Sequence, residues 1–233
     1  YKRQFQDCVD FTKRPVSLGE GGACTLTLCY LSGMVKMERV SDYVLRPLAQ
    51  DEALARCGTP RQAMDRMKDG ALYNLSAEER TRLDAAVFDL VNGCCLLLFP
   101  GESSVLSLNV GTEEKRSISS PSNETVLKGS RDAFVESLRT NTSIVRRHLK
   151  APELRIREQV VGRQSVTSVD ILYIEGLTNP HLVEQVAAQL ADIDIDAVLA
   201  TGNIEEYIVP AARTAFPLVQ YTCLLYTSDA ADD

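Results

Sequence analysis

A short pattern occurs twice in this chain and sets the terms for its fold. Leu28-Cys29-Tyr30-Leu31-Ser32-Gly33-Met34 resembles Ile171-Leu172-Tyr173-Ile174-Glu175-Gly176-Leu177. In both copies a strand-like apolar run meets a glycine turn, and an amphipathic helical pattern follows. A strand, glycine turn and helix used twice predicts two similar α/β lobes with mixed sheets flanked by helices. The polar, serine-rich stretch from Gly111 to Asn123, with Pro121 inside it, is the linker candidate. It divides the chain into an N-terminal lobe, Tyr1 to Ser120, and a C-terminal lobe, Ser122 to Thr222.

Periodicity fills in the lobes. Alternation over Ala23 to Tyr30 predicts a strand, and Met37 to Leu48 reads as a helix with Met37, Val40, Val44 and Leu48 on one face. A helix is predicted over Ala77 to Val91, entered from Ser76 with Glu79 closing a capping box and Leu83, Val87, Leu90 and Val91 facing inward. Cys94 to Phe99 and Val105 to Val110 read as strands joined through Pro100-Gly101-Glu102-Ser103. In the second half, Arg131 to Lys150 is the longest periodic helix, with Phe134, Leu138, Val145 and Leu149 as its predicted buried stripe. Its early acids, Asp132 and Glu136, and its late bases, Arg146, Arg147 and Lys150, suit the helix dipole. Strands at Leu154 to Val161 and Val166 to Ile174 flank a turn at Gly162. Asn179-Pro180 then opens a helix to about Asp192. A short strand near Ala197 to Ala200 and a helix from Asn203 to Val209 close the readable part.

Composition removes several function classes. The 32 acidic and 25 basic side chains leave a formal charge of −7, which argues against nonspecific binding of nucleic acid or anionic lipid. Seven cysteines, an odd number without regular spacing, suggest inert thiols in a reducing compartment. With two histidines and no C-x-x-C pair, no zinc ligand set is expected. The longest apolar run, Cys94 to Phe99, falls far short of the 18 or more residues of a spanning helix, so the chain reads as soluble. Gly19-Glu20-Gly21-Gly22 fails as a phosphate loop because it precedes a strand and Cys24 stands where a small residue is needed. Asp192-Ile193-Asp194-Ile195-Asp196 fails as a calcium loop because Ala197 and Asn203 occupy the glycine and closing-acid positions. His148 and His181 have no nucleophile partner in a recognisable motif, so no catalytic residue, metal or cofactor is expected. The sequons at Asn74, Asn123 and Asn141 read as incidental. A start without Met and the abrupt change over Cys223 to Asp233 predict a fragment with a non-native tail.

A longer series carries more information. Pro121-x-x-Glu124-x-Val126-x-x-Gly129 leads through Phe134-Val135-Glu136 and Thr140-Asn141 to Ile144-Val145-Arg146-Arg147-x-Leu149; Val161-Gly162, Thr167 and Tyr173-Ile174 follow. The combination resembles the cytoplasmic N-terminal domain of the A subunit of bacterial spore germinant receptors, the GerA family, from about Tyr30 to Phe216-Pro217 and Thr222. The family continues with an acidic-basic-Pro-Asp turn and membrane helices, whereas Cys223-Leu224-Leu225 stands here. The resemblance implies a transducing and assembly domain without catalysis, on the cytoplasmic side of the spore inner membrane. The full-length subunit would be integral to that membrane and couple nutrient sensing to ion release. It also implies a homo-oligomer of A subunits working with receptor B and C subunits, and no nucleic acid. The interaction residues it nominates are Glu124, Gly129, Phe134, Glu136, Asn141, Arg146, Arg147, Tyr173 and Gly176. A second reading is a small-ligand sensor with a cleft between the two lobes.

Charge is unevenly placed. From Glu175 to Glu206 there are seven acids and no Lys or Arg, whereas Arg131 to Lys150 holds five bases and two acids. Two solvated helix faces would account for this. The sharper expectation is that the basic helix end of one subunit docks on the acidic segment of its neighbour, giving orientation more than affinity.

Overall fold

The computed structural model describes residues 4–18, 24–72, 76–111, 134–198, 201–208 and 222. The chain divides into two units. The first holds Tyr1–Glu113 and Arg146–Pro152, and the second holds Glu114–Val145 and Glu153–Asp233. Most of the expected linker, from Thr112, lies outside the described residues, as do the Gly19–Gly22 loop and the Cys223–Asp233 tail.

In the first unit the chain runs through β1 (Phe11–Ser17), β2 (Thr25–Leu31), α1 (Met37–Arg39), a π-helical stretch Val40–Leu45, α2 (Arg46–Gln50), α3 (Glu52–Ala55) and α4 (Pro60–Arg66). A second π-helical stretch, Met67–Ala71, then leads to β3 (Ala77–Arg80), α5 (Leu83–Val91), β4 (Cys94–Leu98) and β5 (Val105–Asn109). The five strands form one antiparallel sheet in the order β1-β2-β4-β5-β3. Side chains alternate across a strand, so the central strands feed two cores. Leu26, Leu28 and Tyr30 join Cys95, Leu97, Leu106 and Leu108 on one face, under the helical run that buries Val40, Val44, Leu48, Leu54 and Met64. Cys29, Leu31 and Leu96 join Ala86, Val87 and Leu90 of α5 on the other. Burial on both faces explains why β2 and β4 read as nearly continuous apolar runs.

The sheet edges are guarded. β1 carries Lys13, Arg14 and Pro15, and β3 is four residues long with Glu78, Glu79 and Arg80. Two short helices without a periodic signature are fixed by their caps. The Asp51 carboxylate accepts from the Ala53 and Leu54 N–H groups at 2.7 and 3.1 Å, and Thr59 Oγ1 accepts from Gln62 N–H ahead of α4, which opens on Pro60.

The helix expected over Ala77 to Val91 begins only at Leu83. Ala77–Arg80 pairs with β5 from Ala77↔Leu108 to Arg80↔Val105, so the sheet overrides the local cap signal. Glu79, expected as the capping-box acid, accepts instead from Arg61 at 2.6 Å, Lys68 at 2.7 Å and Ser104 Oγ at 2.7 Å. Leu83, expected to face inward, is half exposed because it opens the helix, whereas Val87, Leu90 and Val91 are buried. Met37 is likewise half exposed at the start of its helical run.

In the second unit are the first eight residues of α6 (Leu138–His148), then β6 (Leu154–Val161), β7 (Thr167–Ile174), α7 (Pro180–Ala191) and α8 (Thr201–Ile208). β6 and β7 form an antiparallel hairpin, with Leu154↔Ile174 at one end and Val161↔Thr167 at the turn. Val161, Val169 and Ile171 pack with Val186 and Leu190 of α7 and with Ile193, Ile195 and Ile204. Asn179 caps α7 by accepting from His181 N–H at 3.0 Å. Ala197 and Val198 are not in a strand, and the rest of that predicted strand is outside the described residues. The predicted stripe of α6 is corrected too: Phe134, Leu138 and Val145 are half-buried and Leu149 is exposed, while Thr142, Ser143, Ile144 and Arg146 are buried. The fold is α/β as expected, with antiparallel sheets of five and two strands. Both copies of the repeated pattern keep their local geometry, since Gly33 and Gly176 follow β2 and β7 at φ +82° and +84°.

Gly93 closes α5 at φ +88°, and a Cβ there would lie 2.7 Å from the Met34 carbonyl oxygen and 3.0 Å from Gly111 Cα. Gly176 has the same backbone but open space around it. Gly93→Ala is therefore expected to lower the melting temperature well beyond Gly176→Ala, which carries only the left-handed backbone cost of about 1–2 kcal/mol. Equal effects would refute the close approach. Glu79 supplies a second prediction. Its hydrogen bonds to Arg61, Lys68 and Ser104 hold its carboxyl down at about 2. A depressed folded-state value means the stabilisation is complete above the unfolded value of about 4.5 and disappears as pH falls through about 2. Melting temperature measured across that window should fall less steeply in Glu79→Gln than in the parent chain.

Candidate functional site: the buried end of α6

Arg146 is the only arginine among the described residues that is fully buried, and its partner is Asp10. Nε donates to Asp10 Oδ2 at 2.6 Å and an Nη donates to Oδ1 at 3.1 Å, a fork-on-fork geometry that a guanidinium makes and an ammonium cannot. Asp10 is also buried, and its carbonyl oxygen accepts from Ser32 N–H at 2.7 Å. Ser32 Oγ in turn lies 3.0 Å from Thr12 Oγ1. The arginine thus grips the segment leading into β1, which holds the turn after β2 that carries the repeated pattern. Two residues past the end of α6, Lys150 Nζ donates to Asn92 Oδ1 at 2.9 Å, beside Gly93. Both contacts lie inside the first unit, to which Arg146–Pro152 belongs.

This corrects the docking expectation for Arg146. Arg146 is enclosed and ion-paired within its own chain, so it cannot be the cation that meets a neighbour. Three of the seven acids of the acidic segment are matched internally: Arg155 pairs with Glu175, Arg157 with Glu184 at 2.9 Å, and Arg163 with Asp194 at 2.7 Å. The arginines of β6 and its turn offset part of the charge that counting along Glu175 to Glu206 left unmatched, because the fold brings residues distant in sequence to the same surface. Backbone groups take part as well. The N–H groups of Gln164 and Ser165 donate to the Asp196 carbonyl and Arg163 N–H donates to that of Ile195, so the alternating aspartates form a stitched connection to the hairpin turn.

The other nominated residues are scattered. Asn141 braces the start of α6, accepting from Val135 N–H at 2.7 Å and donating to the Val135 carbonyl at 2.6 Å. Phe134, Arg147 and Tyr173 are half-buried, Glu136 is exposed, and Gly176 forms the turn after β7. Glu124 and Gly129 lie outside the described residues. Arg139, not nominated, reaches Glu158 and Asp170 on the hairpin. The Glu158 carboxyl is lowered by its hydrogen bond to Ser168 and then by Arg139. A depression of about 610 Å³ beside α5 is lined by Arg80, Arg82, Asp84 and Asp89, whose charges already pair with one another. Among the described residues no group of three or more His, Cys, Asp or Glu side chains could hold a metal, and no helix is long and apolar enough to cross a membrane.

Residues 1–223 match the family model of the Bacillus/Clostridium GerA spore germination protein. Among curated relatives, the chain is 32% identical to an uncharacterised membrane protein, YfkQ, of Bacillus subtilis over 93% of its own length and 41% of that protein's. It is 30% identical to spore germination protein KA of the same organism, covering 95% of the chain and 40% of the relative. The chain thus spans about two fifths of these proteins. The crystal structure of the N-terminal domain of the A subunit of the Bacillus megaterium spore germinant receptor GerK3 superposes with a TM-score of 0.70 at 25% identity, covering 95% of this chain and 80% of that one.

Arg146→Met is expected to cost about 3–5 kcal/mol, because it leaves the Asp10 carboxylate buried without its counter-charge. Arg146→Lys should recover only part of this. Asp10→Leu combined with Arg146→Met should be less damaging than either change summed with the other. Chemical denaturation of the four proteins checks this, and additive losses would dismiss the pair as an energetic unit.

Proposed function

Because the chain belongs to the GerA family of spore germination proteins, we propose that it is the transducing and assembly domain of a germinant receptor A subunit. In this reading it lies on the cytoplasmic side of the spore inner membrane and couples nutrient sensing to ion release without catalysing a reaction. Membrane attachment comes from the part of the subunit beyond this chain, and the working partners are further A subunits and the receptor B and C subunits. One observation carries the transducing role. Arg146, within the series that the family resemblance rests on, is fully buried and locked to Asp10 inside the first unit. A fully enclosed forked pair holds its segment in one arrangement, and displacing that segment breaks the pair.

Among the residues that the family resemblance nominates, Glu136, Arg147 and Tyr173 keep surface that a neighbouring subunit could reach, and they are the proposed assembly contacts. The two units are proposed to be separable at the Gly111–Asn123 stretch, with one qualification. A piece ending at Ser120 lacks Arg146 and leaves Asp10 uncompensated, so it should be less stable than the first unit within the whole chain.

The reading is tested in spores carrying the full-length subunit. Arg146→Lys, which keeps the charge and loses the fork, is expected to slow nutrient-triggered germination at least several-fold with subunit abundance unchanged. Normal germination at normal abundance would remove Arg146 from the transducing role.

A further inference from the structure

Among the seven asparagines of the chain, Asn92 alone precedes a glycine. At an Asn-Gly step the following amide nitrogen, with no side chain beside it, reaches the asparagine carboxamide most readily. Both residues are required where they stand. Gly93 follows α5 in the left-handed region at φ +88°, and no Cβ fits between it and the Met34 carbonyl. Asn92 finishes the same helix with its side chain: Nδ2 donates to the Phe88 carbonyl at 2.8 Å, while Oδ1 accepts from Lys150 Nζ at 2.9 Å. We propose that Asn92-Gly93 is a deamidation site kept closed by the Lys150 contact, so that loosening of the Arg146–Pro152 segment starts an irreversible covalent change at the end of α5.

Three restraints keep the carboxamide intact in the folded chain. Gly93 N–H donates to the Leu90 carbonyl at 3.1 Å, which engages the proton that the attacking nitrogen must lose. A five-membered ring needs Asn92 Cβ and Gly93 N nearly eclipsed, and a ψ of 9° at Asn92 turns them apart. The carboxamide itself is held from both sides, by Phe88 and by Lys150. Only the Lys150 contact comes from outside α5 and its cap, and it is the one that can be lost without unwinding the helix, because Lys150 is exposed and lies beyond the end of α6. Helix ends open locally at low free-energy cost, so a cap that loses its tertiary partner samples other ψ values more often.

The chemistry balances with water as the only co-reactant. Gly93 N gives up its proton to solvent and attacks Asn92 Cγ. The N–Cγ bond forms, the Cγ–Nδ2 bond breaks, and the side-chain nitrogen leaves as ammonia after taking a proton back. Water then opens the cyclic imide at either carbonyl, giving aspartate or isoaspartate. The two products act differently on the fold. Aspartate sets a carboxylate against the Lys150 ammonium and removes the donor to the Phe88 carbonyl. Isoaspartate adds a methylene to the main chain directly before Gly93, where Met34 and Gly111 leave no room even for a Cβ, and so presses on the turn after β2.

The test incubates the whole chain at one mildly alkaline pH and follows the peptide containing Asn92 by fragmentation mass spectrometry, reading the conversion of carboxamide to carboxylate. Asp69-Gly70 can close the same ring, but it starts from a carboxyl and ends with its mass unchanged, so it does not interfere. Expected are slow conversion in the folded parent, conversion several-fold faster in Lys150→Ala with its melting transition retained, and the fastest conversion in chain unfolded by denaturant. Asn92→Gln, whose longer side chain would need a larger ring, should stay intact over the same time. Glu79→Gln weakens the same unit away from this contact and should leave the rate at Asn92 unchanged. Equal rates in the parent and Lys150→Ala, equal acceleration in Glu79→Gln, or an intact Asn92 in the unfolded chain would each overturn the proposal.

Discussion

The first unit depends on an ion pair that the protein cannot afford to half-make. A guanidinium and a carboxylate taken fully out of water are stable only together, and Asp10 and Arg146 meet with both oxygens engaged. Apolar residues of the same shape could fill that space at similar free energy, but they would not fix direction. The forked geometry fixes how the Arg146 side chain meets Asp10, and the Asp10 carbonyl ties that position to Ser32 and the turn after β2. The pair therefore specifies an arrangement more than it stabilises one.

Much of the architecture was legible where the physics is local. The β4–β5 and β6–β7 hairpins, the Asn179-Pro180 start of α7 and the glycine turns at Gly33 and Gly176 follow from alternation, capping and positive φ, and they sit where the residues say. Legibility ended where partners are distant. Ser76 and Glu79 look like a capping box, yet pairing with β5 claims the backbone and three donors claim the carboxylate. β1, with Lys13, Arg14 and Pro15, carries no apolar alternation because it is an edge strand protected from pairing further.

The candidate site was half visible. Arg146 stood out within its series, but Asp10 lies 136 residues away, in a stretch with no periodic signal. Reading Arg146 as a surface cation rested on the ordinary expectation that arginines are solvated. The buried polar face of α6, with Thr142 and Ser143 beside it, inverts that expectation. Thr142 Oγ1 and Ser143 Oγ donate to the Arg139 and Thr140 carbonyls, so these hydroxyls are satisfied within the helix and can be buried cheaply.

The discontinuity of the first unit also bears on how the chain is made. Residues 1–113 emerge from the ribosome well before Arg146–Pro152, and at roughly 5–20 residues per second the interval is several seconds. Through that interval the sheet can assemble, but Asp10 lacks the Arg146 counter-charge, so the segment leading into β1 is left without its anchor. The nascent protein completes its first half only after starting its second, and a stalled or shortened translation product would reach the cell with an exposed, incomplete face for chaperones or proteases to recognise.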